Sequence, residues 1–134
     1  MQVMRAIARR ENGTLRHDVK IRRHVVVADE PEDHGGDDSG PSPLELLAAS
    51  LASCTAVTME MYAQRKGWQI GEVVVDVGYE PAQRGSPTRF TLDIRMPKEL
   101  PDDQRERLLQ IAAKCPVHRT LEGEVMFEES VELV

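Results

Sequence analysis

The sequence predicts an α+β protein, an antiparallel sheet with one long, buried helix packed on it. Three observations carry this reading. Alternating apolar and polar residues flank Asn12-Gly13, a strong hairpin signal. Residues 43–66 form a capped helical segment with no charged residue between Glu45 and Glu60. Two more alternating segments then lead to a second, amphipathic helix that begins at Asp102.

Each element follows from local chemistry. Residues 3–10 read as a strand in which Val3, Arg5, Ile7 and Arg9 alternate with Met4, Ala6, Ala8 and Arg10. A return strand covers residues 14–28, with Leu15, His17, Val19 and Ile21 on one face. Residues 29–42, DEPEDHGGDDSGPS, are an acidic Gly/Pro-rich stretch of the kind that usually forms a solvated connection. Ser42, Pro43 and Glu45 make a capping box with proline at the first helical position. Arg65 and Lys66 suit the last turn of the helix, and Gly67 suits its C′ position. That helix is about 36 Å long at 1.5 Å per residue. Val73, Val75, Val77 and Tyr79 mark a half-buried strand, and Phe90, Leu92, Ile94 and Met96 another, with a turn at 81–87 between them. The helix from Asp102 buries Leu108, Leu109, Ile111 and Ala112 and ends before Pro116. A short helical turn through Leu121 to Gly123 follows. A last strand then places Val125, Phe127, Val131 and Leu133 on one face. The sheet is expected to hold about five strands, and residues 1–134 to form one domain with no internal repeat.

Composition narrows the function. A chain of 134 residues with 40% hydrophobic and 30% charged residues is an ordinary globular one, large enough for a single core. Its net charge of −6 comes from interspersed signs outside the acidic stretch, so no basic face invites nucleic acid or an anionic membrane. MQVMRAIARR lacks the apolar centre of a signal peptide, and no run is expected to reach the length of a membrane span. A cytoplasmic location is the expectation. Two cysteines are too few for a disulfide framework and are either inert buried thiols or a working redox pair.

The stretch LLAASLASCTAVTM is apolar or small on every side, so the long helix has to be covered all round. One sheet covers one side. A second copy of the chain, its long helix against the first, is the economical cover for the other and predicts a homodimer. The alternative is a fully internal helix in a monomer. Cys54 sits in mid-helix, where a thiol gains nothing from a helix N-terminus and burial alone leaves it inert. It therefore needs an imported cation or hydrogen-bond donor. Cys115 directly precedes Pro116 and is placed to cap the next turn, where backbone N–H groups favour a thiolate; His118 stands three residues on. Glu45 precedes Cys54 by nine residues, about 13.5 Å along the axis and on the opposite side of the helix. It reaches that thiol only from a partner chain, and a plain capping role explains it equally well. Cys115 and His118 have a two-ligand metal spacing with Cys54 as a third donor, but the second ligand pair of a zinc site is missing. No metal or other cofactor is expected.

DEPEDHGGDDSGPSPLELLAASLASCTAVTMEMYAQRKGW together with LLQIAAKCPVHRTLEG resembles the OsmC/Ohr family of osmotically inducible and organic-hydroperoxide-resistance proteins. The likeness runs from about residue 24 to the last residue and includes the order of elements. The specific signal is the combination of P-x-E-L-L, a mid-helix Cys and a distant C-P; CPVHRTL points to a less studied branch. The resemblance implies an intertwined α+β homodimer with two active sites at the subunit interface. By motif, Cys54 is the peroxidatic residue, Cys115 the resolving one, and Glu45 the glutamate of the P-x-E segment. Leu44 stands where characterised members often carry a second acidic or polar residue. An active-site arginine is also implied. The loop before Pro43 has none, so the candidates are Arg16, Arg22 and Arg23 on the second strand, where arginines usually face solvent.

The implied activity is thiol-dependent reduction of organic hydroperoxides, with an external dithiol as reductant. An apolar pocket lined by Met59, Met61 and leucines of the partner would favour organic peroxides, although the same methionines also serve as core filler. Two other functions fit the same scaffold: binding of a small apolar or electrophilic ligand through Cys54, and a structural dimer module with inert thiols.

Overall fold

The computed structural model describes residues 3–134, as three helices and two antiparallel sheets in two compact units, one up to Ala49 and one from Ser50. The α+β class is as predicted. The expected single sheet of five strands is instead a three-stranded sheet and a two-stranded one.

The first unit holds β1 (Ile7–Arg10), β2 (His17–Ile21) and β3 (His24–Ala28), paired in that order. Gly13 takes the left-handed conformation at the predicted turn, φ 77°, and Arg10 pairs with His17 across it. Residues 3–6 lie outside the strand. The long return strand expected over 14–28 is two strands, because the chain turns at Arg22-Arg23 so that Ile21 faces His24. Arg22 makes the turn at φ 55°, a conformation that costs a non-glycine residue about 1–2 kcal/mol. KIRRHVVV has no Gly, Asn or Pro to announce such a turn.

The acidic segment 29–42 was expected to be a solvated connection. Most of its charges are exposed, but its backbone is tightly organised around the buried carboxylate of Asp29. Asp29 accepts hydrogen bonds from the Ser39 hydroxyl (2.6 Å), the Ser39 N–H (3.0 Å) and the Glu30 N–H (2.8 Å). Gly36 passes so close to Glu30 that an added Cβ would sit 1.9 Å from its carbonyl oxygen. Glycine is required there by space alone.

Helix α1 (Pro43–Lys66) has the predicted bounds. Ser42 and Glu45 exchange the two capping-box bonds, at 2.9 and 3.1 Å. At the other end Trp68 N–H bonds to the Ala63 carbonyl and Gly67 N–H to that of Gln64, a Schellman ending with Gly67 at φ 70°.

The second unit contains the rest of α1, the hairpin β4 (Val74–Glu80) and β5 (Arg89–Arg95), α2 (Asp102–Ala112) and α3 (Pro116–Glu122). Val75, Val77 and Tyr79 pair with Ile94, Leu92 and Phe90, so the predicted inner faces coincide, and Tyr79 stacks on Phe90. Met59 and Ala63 of α1 form a core with Ile70, Leu100, Leu108 and Ala112. On α2 Leu108 and Ala112 are buried as expected, while Leu109 is exposed. Each large apolar side chain fully buried in this core contributes about 1.5–3 kcal/mol.

Two further expectations fail. The last strand, Val125 to Leu133, does not form: residues 124–134 have no strand partner among the described residues and Phe127 is 82% exposed. An alternating pattern makes a strand only where an edge is available to pair with it. Within the single chain the long helix is covered on one side only. Leu51, Thr55, Met59 and Ala63 form one buried stripe, while Val57 and Met61 are 54% and 56% exposed. By length and composition alone α1 is long and apolar enough to cross a membrane, contrary to the expectation that no run is.

Candidate functional site

Cys54 occupies the middle of α1 and is half-buried; Cys115 is fully buried, and both are free thiols. α2 ends at Ala112 because Pro116 forbids its continuation. The chain turns through residues 113–115, with Cys115 N–H bonded to the Ala112 carbonyl. This leaves Cys115 as the N-cap of α3, and its sulfur accepts the His118 N–H at 3.3 Å. The capping role expected for Cys115 is therefore observed.

The sulfur has a second neighbour. Thr55 Oγ1 lies 3.6 Å from Cys115 Sγ and 2.8 Å from the Leu51 carbonyl oxygen. Thr55 is itself fully buried and directly follows Cys54 in the chain. The fold thus seats Cys115 against the residue adjoining Cys54. In the sequence Thr55 is a small polar residue beside Cys54 with nothing local to mark it. Its partner lies sixty residues away, and no local pattern reports such a contact.

His118 contributes through its backbone rather than its ring. Its backbone N–H reaches the Cys115 sulfur, while its imidazole Nε2 stands 2.5 Å from Glu122 Oε1. Its Nδ1 is shielded from solvent and has no hydrogen-bond partner among the described residues. The ring is thus oriented by Glu122, and the metal-like Cys115/His118 spacing places the two side chains on different partners.

Glu45 is exposed, and its carboxylate accepts the Ser42 N–H. That bond, followed by the Ser42 hydroxyl, holds its carboxyl below the usual carboxylate range. Of the two roles weighed for Glu45, capping is the one these contacts display. Arg16 is engaged within its own hairpin, with Glu11 at 3.0 Å and Asp18 at 3.5 Å. Its Nε is close enough to Glu11 for an ion pair but not aligned for a hydrogen bond. Arg22 and Arg23 sit exposed at the β2–β3 turn.

The expected pocket residues also separate: Met59 is wholly within the core, whereas Met61 faces outward. A different cavity, of about 510 Å³, opens in the first unit. Leu15, Val19 and Ala28 of the hairpins and Pro43 and Leu46 of α1 line it, with Asp29 at its edge. Hydrogen bonds to the carboxylate, from the Ser39 hydroxyl foremost and then from the Ser39 and Glu30 N–H groups, lower the pKa of Asp29 from 3.8 to about 2. Elsewhere, Arg107 Nε donates to the Tyr62 hydroxyl at 3.0 Å and lowers the pKa of that phenol.

Known proteins share this arrangement of elements. A protein of Psychrobacter arcticus 273-4 assigned to osmotic stress induction and detoxification response is 26% identical, with a TM-score of 0.71 over 90% of this chain and 88% of that one. An OsmC-like protein from Mycoplasma pneumoniae is 18% identical, with a TM-score of 0.74 over 91% and 89%. The organic hydroperoxide resistance protein OhrB of Bacillus subtilis is 20% identical, with a TM-score of 0.62 over 91% and 92%. These last two likenesses are of fold. An uncharacterised protein of Haloferax volcanii is 27% identical over 97 residues, 71% of this chain and 74% of that one. The family described as OsmC-like protein matches residues 36–130, which include α1, both cysteines and the hairpin between them, and the chain belongs to that family.

Proposed function

We propose that this protein is a thiol-dependent reductase of organic hydroperoxides that works through Cys54 and Cys115. The observation that carries the reading is the seating of the Cys115 sulfur against Thr55, the chain neighbour of Cys54. Family membership supports it, as does the hydroperoxide-resistance role named for the Bacillus subtilis protein of the same fold.

In the proposed cycle the Cys54 thiolate attacks the terminal peroxide oxygen. The O–O bond breaks, and the alkoxide leaves as an alcohol after taking up a proton. The resulting sulfenic acid condenses with the Cys115 thiol, forming a disulfide and water. A cytoplasmic dithiol then exchanges with that disulfide, itself becoming oxidised, and restores both thiols. Arg16, Arg22 and Arg23 are the candidates for stabilising the Cys54 thiolate.

The site is completed in a homodimer. Val57 and Met61 on α1 and the apolar side chains of residues 125–133 are exposed in the single chain. A second copy covers such surfaces and brings Glu45 and an arginine to the thiol from across the interface.

The 510 Å³ apolar cavity favours one other reading, an OsmC-like protein that binds a small apolar ligand without reducing peroxides. Stopped-flow reduction of cumene hydroperoxide by wild type, Cys54→Ser and Cys115→Ser separates the two. The peroxidase reading expects loss of turnover in both variants, with a single-turnover burst kept only in Cys115→Ser. Full rate in Cys54→Ser would exclude it.

A further inference from the structure

We infer that Thr55 is a positioning residue for the Cys115 thiol: its hydroxyl accepts the S–H proton in the resting state and turns to donate to the sulfur once that proton leaves. The inference rests on the dithiol reading above and extends it to a residue that reading does not use.

Proton counting carries the argument. A hydroxyl has one proton to give and two lone pairs to offer. Thr55 Oγ1 lies 2.8 Å from the Leu51 oxygen, a carbonyl that can only accept, so the hydroxyl proton is committed there. What remains for the Cys115 sulfur, 3.6 Å away, is a lone pair, so the thiol is the donor of that bond. The sulfur in turn accepts the His118 N–H at 3.3 Å. Every group in the chain from His118 N–H to Sγ, to Oγ1, to the Leu51 carbonyl is therefore satisfied while Cys115 is a thiol.

The same atoms serve the thiolate. When the thiol proton leaves, the Thr55 hydroxyl proton rotates about Cβ–Oγ1 onto the sulfur, and no heavy atom has to move. The Leu51 carbonyl is not orphaned, because α1 still supplies the Thr55 N–H to it. The sulfur then holds two donors, one from the backbone and one from Thr55. Among the described residues, the Thr55 hydroxyl is the one side-chain group hydrogen-bonded to this sulfur. The other titratable groups along these elements are Glu45, Cys54, Glu60, Tyr62, Arg65 and Lys66 on α1 and Lys114, His118, Arg119 and Glu122 around α3, with the His118 imidazole turned to Glu122.

In the resolving step Cys115 loses its proton and forms the S–S bond to Cys54. The S–O bond of the sulfenic acid breaks, and the departing hydroxide takes the proton as water. Thr55 holds the attacking sulfur through that change of charge.

The infrared S–H stretching band of Cys54→Ala protein, in which Cys115 is the one cysteine, reads the resting bond directly. Thr55→Val preserves shape and removes the acceptor. It is expected to move the band to higher frequency, and Thr55→Ser to return it. A band unmoved by valine overturns the inference, and Thr55→Ala gives the same reading should the valine variant not fold. A second measurement uses the otherwise intact protein treated with one equivalent of cumene hydroperoxide. Conversion of Cys54 sulfenic acid to disulfide, followed by quenched mass spectrometry, is expected to slow by about tenfold in Thr55→Val, as loss of a hydrogen bond to a charged group implies. Thr55→Ser is expected to restore it, and an unchanged rate in valine overturns the role in resolution. If the parent forms no sulfenic acid, the peroxide reading fails while the S–H band still decides the part played by Thr55.

Discussion

Asp29 and Cys115 are both buried polar groups, and both are held by donors from distant or backbone positions rather than by an opposite charge. For Asp29 the consequence is a dependence of stability on acid. Its pKa falls from 3.8 to about 2 on folding, so its contribution is fully present above the unfolded value and is lost as pH falls toward the folded one. Melting temperatures are expected to drop between about pH 4 and pH 2 in the wild type. Asp29→Asn should melt lower at neutral pH and show a shallower acid slope. An unchanged slope would remove Asp29 from this role. The two thiols, the capping glutamate and the Cys115 cap were legible as residues because each sits in a local pattern. Thr55 and the Ser39–Asp29 clasp were not, because their partners are set by the tertiary fold, and the arginine candidates yielded only their own local contacts.

Among the elements, α1 was the most legible, since its start and stop signals are local chemistry that the structure reproduces residue for residue. Ser42→Ala removes the cap and is expected to cost about 1 kcal/mol in chemical denaturation. Leu108, fully buried between α2 and the rest of the second core, should cost more. Leu108→Ala is expected to lose about 2–5 kcal/mol, and a loss below 1 kcal/mol would mean that the site collapses or is less packed than described. The strands were legible wherever alternation ran against a core, as in β4 and β5. The turn at Arg22-Arg23 was illegible because arginine is a poor signal for a left-handed residue, so two strands read as one. The final strand was over-read for the opposite reason: alternation in residues 125–133 is real, but a strand also needs an edge, and no edge among the described residues takes it.

At the scale of the whole molecule, the exposed face of α1 and the exposed apolar tail are the surfaces that the proposed dimer covers. Sedimentation is expected to give a species of twice the 15.0 kDa chain mass, and deletion of residues 124–134 to weaken that association. A stable monomer at micromolar concentration would refute the dimer. The long apolar helix is read as an interface helix, so the protein is expected in the soluble fraction after membranes are pelleted; recovery with the membranes would contradict that reading. Cys54 and Cys115 are proposed to act as one redox pair. The most direct measurement is mass spectrometry of the native protein after one equivalent of organic hydroperoxide. The expected result is the loss of two hydrogens and a peptide cross-link between Cys54 and Cys115, absent from either serine variant. Two free thiols remaining after the peroxide has been added would contradict it.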